Sequence, residues 1–183
     1  MNEAISRVLF CAIENDAEQI ALDGLLGMNP DPNYEGIYGE PLLFAAIRKR
    51  RFEAVSKLLQ LGAKTKTKHN GKLPLHAAAE NPDCAAAIEL LLLHDGVDVD
   101  GKTDRRKMTP LMLAAENGHQ VNAAKLIECG ADVGAVSENG LSPLAYAALN
   151  GSASCMSVII DAGASVVTAL TQLAKLVDKE KRV

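Results

Sequence analysis

The side chains best suited to metal binding or catalysis in this chain are its histidines and cysteines, and their spacing matches no known site. They are His69, His76, His94 and His119, and Cys11, Cys84, Cys129 and Cys155. The cysteines form no CxxC pair, and the histidines are not at ligand spacing from them. The sequence also lacks GxxxxGK[ST], GxGxxG, HExxH and GxSxG. These residues predict no metal, no cofactor and no enzymatic activity.

A glutamate followed by asparagine ends three apolar runs, at Glu14, Glu80 and Glu116. An acid–base pair needs two groups in one place, so a single recurring glutamate indicates architecture or a ladder of charges along one surface. His76 and His119 also lie at repeated positions, and we expect both to make local hydrogen bonds. We expect His69 and His94 to be solvated.

Composition favours a helical fold in a reducing compartment. Hydrophobic residues make up 48% of the 183 residues, but aromatic residues only 3%, and tryptophan is absent. Alanine and leucine must therefore provide most of the packing, which suits helices that approach closely. We expect the four cysteines to be buried free thiols. Free thiols point to the cytoplasm, with the nucleus as an open second location.

The sequence predicts no membrane span and no secretory signal. Its apolar runs are shorter than the roughly 18 residues that suggest a span. The first ten residues, MNEAISRVLF, contain an early acid and no long apolar stretch.

Two marks recur along the chain with one period. An apolar run begins at Pro41, Pro74, Pro110 and Pro143, with spacings of 33, 36 and 33 residues. A glycine-centred triplet follows each proline, as LGA at 61–63, DGV at 95–97, CGA at 129–131 and AGA at 162–164. Two marks in one phase indicate a repeat architecture.

The repeated segment resembles the ankyrin repeat, a unit of about 33 residues with a turn, two helices and a T-P-L-H-x-A signature. MTPLMLAAENGH and KLPLHAAAEN match that signature best, and the resemblance is clear over residues 35–172. It implies an all-α solenoid of about five helix-turn-helix units with protruding β-turn fingers. The implied units of this single domain are 1–34, a degenerate cap, then 35–67, 68–103, 104–136, and 137–183 with a C-terminal helix.

Local chemistry within the fourth unit agrees with the resemblance. Thr109, like Ser142 in the next unit, lies where a hydroxyl can cap the start of a helix. Gly118 and Gly130 suit the left-handed position that ends a helix. Leu126 and Val121 are expected on the buried face of the second helix. Helices of eight or nine residues are marginal alone, so each must pack against its neighbours.

The two ends of the array are predicted from apolar spacing. In the N-terminal cap, the residues expected to be buried are Ile5, Val8, Leu9, Ala12, Ile20, Leu25 and Leu26. In the C-terminal helix, they are Val166, Leu170, Leu173, Ala174 and Val177. This last helix could close the array or begin another repeat, and the sequence leaves both open.

The second and third units depart from the repeat pattern. Glu40 and Leu73 replace the capping hydroxyl, and RKRR at 48–51 replaces the glycine turn. We therefore expect these two units to open more easily than the fourth. RKRR also resembles a short nuclear-import signal, but a solvated helix turn explains it more simply.

The resemblance implies that recognition residues lie at the fingertips and at the exposed ends of the first helices. By position, the expected partner-binding residues are Tyr38, Ile47, Arg48, His69, Asn70, Lys72, Glu80, Arg105, Arg106, Met108, Glu116, Leu141 and Leu149. The apolar ones among them, Tyr38, Met108, Leu141 and Leu149, are expected to be exposed anchors.

Charge along the chain is uneven and indicates the kind of partner. The net charge is −7 over residues 1–47, +5 over 48–107 and −2 over 108–183. Two basic groups fall on neighbouring fingers and are expected to form one positive strip: Lys64, Lys66, Lys68, His69 and Lys72, and Lys102, Arg105, Arg106 and Lys107. An acidic protein segment is the natural partner. Nucleic acid is disfavoured, because the strip lacks aromatic residues and the whole chain is acidic.

These observations predict a monomeric, non-catalytic module that binds another protein through its concave face and basic fingers. Two other classes of function stay open. The chain could be a targeting or regulatory domain of a larger enzyme or of a bacterial effector. It could also bind an anionic surface, nucleic acid or phospholipid, in which case binding would weaken steeply with salt.

Overall fold

The computed structural model describes residues 2–94 and 96–180 and consists of short helices joined by turns. The helices are α1 (Asn2–Glu14), α2 (Gln19–Gly27), α3 (Leu42–Arg48), α4 (Phe52–Gln60), α5 (Pro74–Glu80), α6 (Ala85–Leu92), α7 (Pro110–Glu116), α8 (Gln120–Glu128), α9 (Pro143–Asn150), α10 (Ala153–Asp161) and α11 (Val166–Glu180). A short turn, Ile37–Gly39, precedes α3, and Tyr38 within it is left-handed rather than helical. The predicted all-α repeat solenoid is confirmed.

The helices form five successive pairs, from α1–α2 to α9–α10, and each pair packs on the next. First helices contact first helices along the stack, second helices contact second helices, and α11 packs on α9. Alanines at the contacts, such as Ala78, Ala114 and Ala147, are fully buried and allow close approach. One continuous apolar core therefore runs from α1 to α11. We number the pairs as units one to five.

The predicted helix caps of the fourth and fifth units are present. The Thr109 hydroxyl oxygen accepts a hydrogen bond from the Met112 N–H (3.3 Å), and Ser142 accepts one from the Ala145 N–H (3.4 Å). Gly118 follows α7 with φ 71°, in the left-handed region where glycine avoids the steric cost of a Cβ atom. Residue types at these positions therefore fix where the helices begin and end.

The turns before the first helices project as fingers: residues 36–40, 69–72, 103–108 and 137–141 form the first to fourth fingers. In the second finger, Asn70 and Gly71 both have positive φ (52° and 76°), as a type I′ turn requires. The Asp104 N–H donates to the Gly71 carbonyl (3.0 Å), and the Glu138 N–H to the Arg106 carbonyl (3.0 Å). The second to fourth fingers are therefore linked to one another by their backbones.

Several residues predicted to be buried are exposed instead. In units one and four they are Val8, Ile20 and Val121. On α11 the buried residue is Ala169, and Leu173 and Leu176 pack beside it, whereas Val166, Leu170 and Val177 are exposed. The predicted stripe on α11 is therefore rotated away from the face that packs on α9. Short helices hold too few apolar positions for spacing alone to fix the buried face.

The cysteines divide into two groups. Cys84 and Cys155 are buried free thiols, as predicted, and burial raises the pKa of both, that of Cys155 to about 11. Cys11 and Cys129 are exposed, so the prediction of burial is wrong for them. Cys11 lies in the last turn of α1, and Cys129 directly follows α8.

Across the residues described, no helix combines the length and the apolar character that crossing a membrane would require.

Candidate functional site

Most of the predicted recognition residues line two adjoining clefts on the finger side of the stack. The first cleft, about 590 Å³ in volume, lies between the first and second fingers. The second cleft, about 600 Å³, lies between the second and third fingers. Asn70, Lys72 and Glu80 line both clefts. The two clefts therefore form one continuous surface, which we call the groove.

The structure brings together residues that are far apart in sequence. The first cleft is also lined by Tyr38, Arg48 and His69. The second cleft is also lined by Arg105, Arg106, Met108 and Glu116. Leu149 is exposed at the end of α9, outside both clefts.

Three of the predicted partner-binding residues, two of them predicted anchors, are buried. Ile47, Met108 and Leu141 are 0%, 1% and 4% exposed, so the prediction that they lie free on the surface is wrong. Met108 and Leu141 occupy the same repeat position, where the returning arm of a finger joins the core. The Met108 carbonyl accepts a hydrogen bond from the Thr103 N–H (3.0 Å), which closes the third finger, and one from His76 of α5 (3.1 Å), which holds this arm against the stack. Ile47 packs into the core from the last turn of α3.

Ion pairs cross the groove once in each of units two to four. Arg48 binds Glu40 through two hydrogen bonds (2.9 and 3.1 Å) and also contacts Glu14. Lys72 donates to Glu80 (2.6 Å). These pairs account for the recurring glutamates as a charge ladder, as the sequence indicated. Each of these carboxylates is paired with a basic side chain, so the glutamates have a structural role rather than an acid–base role.

Arg106 holds the fingers together. Its guanidinium binds Glu116 through two hydrogen bonds (3.0 and 2.6 Å) and lies 5.5 Å from the centroid of the Tyr146 ring. Hydrogen bonding to Glu116 raises the pKa of Arg106. Its carbonyl accepts the Glu138 N–H of the next finger. Reversing this charge would therefore disturb the groove itself as well as any contact with a partner.

The predicted positive strip is only partly available. Lys68 is paired with Asp104 on the next finger, while Lys72 and Arg106 are paired as described. Five exposed bases of the strip make no ion pair with an acid of residues 2–94 or 96–180: Lys64, Lys66, Lys102, Arg105 and Lys107. Of these, only Arg105 lines the groove. Of the unpaired bases of the strip, one arginine therefore lies inside the groove and four lysines lie outside it.

Tyr38 is the most exposed large apolar side chain of the groove. It is 97% exposed at the tip of the first finger, next to Ile37, which is also exposed. Beneath them, the rings of Phe44 and His69 meet edge to face with their centroids 5.5 Å apart. His69 is half-buried there, so the prediction that it is solvated holds only in part. The first cleft thus combines an exposed aromatic rim with an apolar floor.

Two other histidines link neighbouring units, as their repeated positions predicted. The Nδ1 atom of His76 accepts the Leu73 N–H (3.1 Å), so its Nε2–H donates to the Met108 carbonyl (3.1 Å). His119 contacts the Glu80 carbonyl through Nε2 (2.9 Å). Burial lowers the pKa of His76 and keeps it neutral. Neither histidine faces the groove carboxylates as a general acid or base.

The most connected buried polar residue, Asn122, has no signal in the sequence. Its Nδ2 donates to the carbonyls of Ala78 (3.2 Å), Ala79 (3.3 Å) and Asn81 (2.6 Å), and its Oδ1 accepts the Cys84 N–H (3.0 Å). The asparagine of α8 therefore fastens the turn of the third unit. Asparagine in a helix usually indicates a solvated position, and only its partner 38 residues away explains it.

Comparison with known proteins gives a consistent result. Residues 8–103 and 86–169 match the family described as ankyrin repeats (3 copies). Among curated proteins, neurogenic locus notch homolog protein 2 of Homo sapiens is 34% identical over 143 residues, covering 73% of this chain and 6% of that protein. Notch homolog protein 1 of Mus musculus is 31% identical over 153 residues, covering 83% of this chain and 6% of the relative. The chain thus spans about 6% of the length of these relatives.

Proposed function

The chain belongs to the ankyrin-repeat family, and on that basis we propose that it binds another protein through the groove. Ankyrin repeats are generally protein–protein interaction modules, and the family is typically non-catalytic. We extend this to a monomeric, non-catalytic module of the cytoplasm or nucleus. Each fingertip and helix end of the groove would contribute part of the contact.

The observation that carries this proposal is an exposed aromatic residue and an unpaired arginine in adjoining clefts. Tyr38 projects over the first cleft and Arg105 lines the second. Tyrosine and arginine dominate the energy of many protein interfaces because they combine large contact area with hydrogen bonding. The other groove bases are already neutralised, so these two side chains are the ones free to engage a partner.

Charge supports an acidic segment as the partner. The five unpaired bases of the strip lie on or beside the second and third fingers, whereas the groove acids Glu80 and Glu116 are neutralised. An acidic segment would be steered toward this side of the molecule. The backbones of the second to fourth fingers are hydrogen-bonded to one another, so binding there would order few residues and lose little entropy.

The test is affinity capture with variants that change only these two side chains. The intact chain, Tyr38→Ala and Arg105→Glu are immobilised and exposed to lysate, and captured proteins are quantified by mass spectrometry. We expect each variant to capture at least tenfold less of the proteins that the intact chain captures specifically. Arg106 is left unchanged because it holds the fingers.

Matched controls lie on the second helices. Val121→Ala truncates an exposed apolar side chain of α8, and Lys57→Glu reverses an exposed charge of α4. Both controls should capture the same proteins as the unchanged chain. If Tyr38→Ala and Arg105→Glu capture as much as the controls, the groove is not the binding surface.

A further inference from the structure

The tyrosines of the chain, Tyr34, Tyr38 and Tyr146, differ sharply in exposure. Tyr146 is 3% exposed, and its hydroxyl donates to Ser137 Oγ (3.0 Å). Tyr34 is half-buried with its ring edge-on to Phe10, the centroids 6.4 Å apart. Tyr38 is 97% exposed. It is therefore the tyrosine whose hydroxyl another enzyme could reach while the chain stays folded.

The stability of the fold does not explain a tyrosine at this position. Tyr38 has φ 59° and ψ 24°, a left-handed conformation that costs a residue with a Cβ atom about 1–2 kcal/mol. Its ring buries almost no surface, so packing does not offset this cost. The turn requires the left-handed conformation, as it does at Asn70 of the second finger (φ 52°), but it does not require a tyrosine.

The tip of the first finger, around Tyr38, is held less tightly than the base of that finger. Ile37, Tyr38 and Gly39 are all exposed and form a tight turn in which Tyr38 and Gly39 both have positive φ (59° and 69°). Two long hydrogen bonds hold the tip of the turn, from the Gly39 N–H to the Gly36 carbonyl (3.2 Å) and from the Glu40 N–H to the Ile37 carbonyl (3.3 Å). Shorter bonds close the base of the finger, from the Gly36 N–H to the Glu40 carbonyl (2.8 Å) and from the Leu42 N–H to the Tyr34 carbonyl (3.0 Å). A glycine lies on each side of Tyr38 within two residues, which allows the segment to extend. An extended segment is what the substrate cleft of a protein kinase accommodates.

Acidic residues surround Tyr38 on the first finger. Glu35, which is exposed, lies three residues before it, and Glu40, which Arg48 binds, lies two residues after it. Residues 8–47 contain no lysine or arginine. Kinases select substrates partly by the pattern of charges around the acceptor. This pattern fits a kinase with a basic substrate cleft.

We propose that Tyr38 is a phosphorylation site for a tyrosine kinase that recognises acidic flanking residues. The Tyr38 hydroxyl oxygen attacks the γ-phosphorus of ATP, and the bond from that phosphorus to the oxygen bridging the β- and γ-phosphates breaks. The phenolic proton passes to the kinase's catalytic carboxylate, and ADP leaves. Tyr38 phosphorylation does not depend on the proposed partner-binding function.

Phosphorylation would change the chemistry of the first cleft. A phosphate adds a charge of about −1.5 to −2 at pH 7 at a rim that faces Arg48 and Lys72. An apolar anchor would become an anion, so the groove would select a different partner in each state. This consequence, unlike the modification itself, rests on the proposed function.

The experiment uses the intact folded chain, magnesium–ATP and the purified catalytic domain of an acid-directed tyrosine kinase, with phosphate mapped by tandem mass spectrometry. We expect about one phosphate per chain, at Tyr38. Tyr38→Phe should reduce total incorporation at least tenfold, whereas Tyr34→Phe should leave it unchanged. Glu35→Lys should slow incorporation several-fold, because it reverses an exposed acidic charge near the acceptor. A peptide of residues 31–43 provides the unfolded reference.

Three results would overturn the proposal. Phosphate could appear on Tyr34 or Tyr146 as fast as on Tyr38. The folded chain could stay unmodified while the peptide is phosphorylated, or the kinase could fail to phosphorylate the peptide. An unchanged rate for Glu35→Lys would refute recognition of the acidic flank. None of these readouts involves capture of a partner, so they are independent of the test of the groove.

Discussion

The second and fourth units have nearly the same fold but are held by different means. The fourth unit uses local signals, with the Thr109 hydroxyl capping α7 and Gly118 ending it at φ 71°. In the second unit, α3 begins after Pro41, whose side chain has no acceptor, and Arg50 takes the left-handed position with φ 56°. The fourth unit has residues that favour these helix ends. The second unit forms the same helix ends with residues that do not favour them.

Contacts to a neighbour replace the missing local signals of the second unit. Arg48 contacts Glu14 of the first unit, Lys49 lies 3.1 Å from Asp16, and Arg51 donates to the Ala17 carbonyl (3.2 Å). These contacts converge on the end of α1 and the turn that follows it. The RKRR segment is therefore an interface between units, which gives it a structural explanation that does not require nuclear import.

The third unit relies on its neighbour in the same way. Asp83 has φ 52° in its helix turn, and Asn122 and His119 of the fourth unit bind the carbonyls around it. Where the local signals of one repeat are missing, a neighbouring repeat supplies the contacts: the first unit for the second, and the fourth unit for the third. In a solenoid this is possible because each unit packs against both of its neighbours.

The largest expected effect follows from removing the contact that fastens the third unit to the fourth. Asn122→Ala leaves the buried Cys84 N–H and several carbonyls without their partner. An unsatisfied buried polar group costs about 1–3 kcal/mol. Because the Asn122 amide is the partner of several such backbone groups, we expect the substitution to lower the unfolding free energy by about 3 kcal/mol. Urea denaturation followed by circular dichroism measures it.

The neighbouring residue Val121 provides the control for Asn122→Ala. Val121 is exposed on the same helix, and Val121→Ala should change the unfolding free energy by less than about 0.5 kcal/mol. A loss for Asn122→Ala as small as this would show that the third unit does not depend on the fourth.

A smaller effect is expected from giving the second unit the local signal that it lacks. Arg50→Gly places glycine at φ 56° and removes a left-handed conformation that costs about 1 kcal/mol. The pair between Arg50 and Asp83 is exposed and long, at 3.6 Å, so its loss should matter little. We expect a gain of about 0.5–1 kcal/mol, measured by urea denaturation.

The reciprocal change sharpens the comparison between the second and fourth units. A Cβ atom at Gly118 would lie 2.6 Å from Asn150 Oδ1, so Gly118→Arg combines backbone strain with a close contact. It should destabilise the chain, in the opposite direction to Arg50→Gly. Equal responses at both positions would mean that the left-handed conformation is not what separates the two units.

The local rules of the repeat are readable from the sequence, and the contacts between repeats are not. Period, hydroxyl caps and glycine turns are short-range features, so residue types alone are enough to place Thr109 and Gly118 correctly. They are not enough for Asn122, because its partners lie in another unit. The prediction for Met108 is wrong because a methionine at a fingertip resembles an exposed anchor, whereas this finger folds back onto the core.

The groove is predictable in position but not in charge. The repeat phase predicts that Tyr38, Asn70 and Arg105 lie on the finger side of the stack, and all three line the clefts there. It cannot show that Lys72 and Arg106 are neutralised, because their acids lie eight and ten residues away across a turn. Counting charges along a sequence therefore overestimates the positive surface that a partner meets.

The smallest effect near neutral pH is expected at His76, which joins α5 to the third finger. Burial lowers its pKa, aided by Lys68 and Lys72 and opposed by its bond to Met108. The unfolded histidine, with a pKa of about 6.5, therefore binds a proton more readily than the folded one. The stability that depends on neutral His76 is present above about pH 6.5 and is lost as the pH falls below it.

We expect the urea midpoint to fall between pH 7 and pH 5, and to fall less in His76→Gln, which cannot titrate. Parallel pH profiles for the two proteins would place the pH sensitivity elsewhere in the chain.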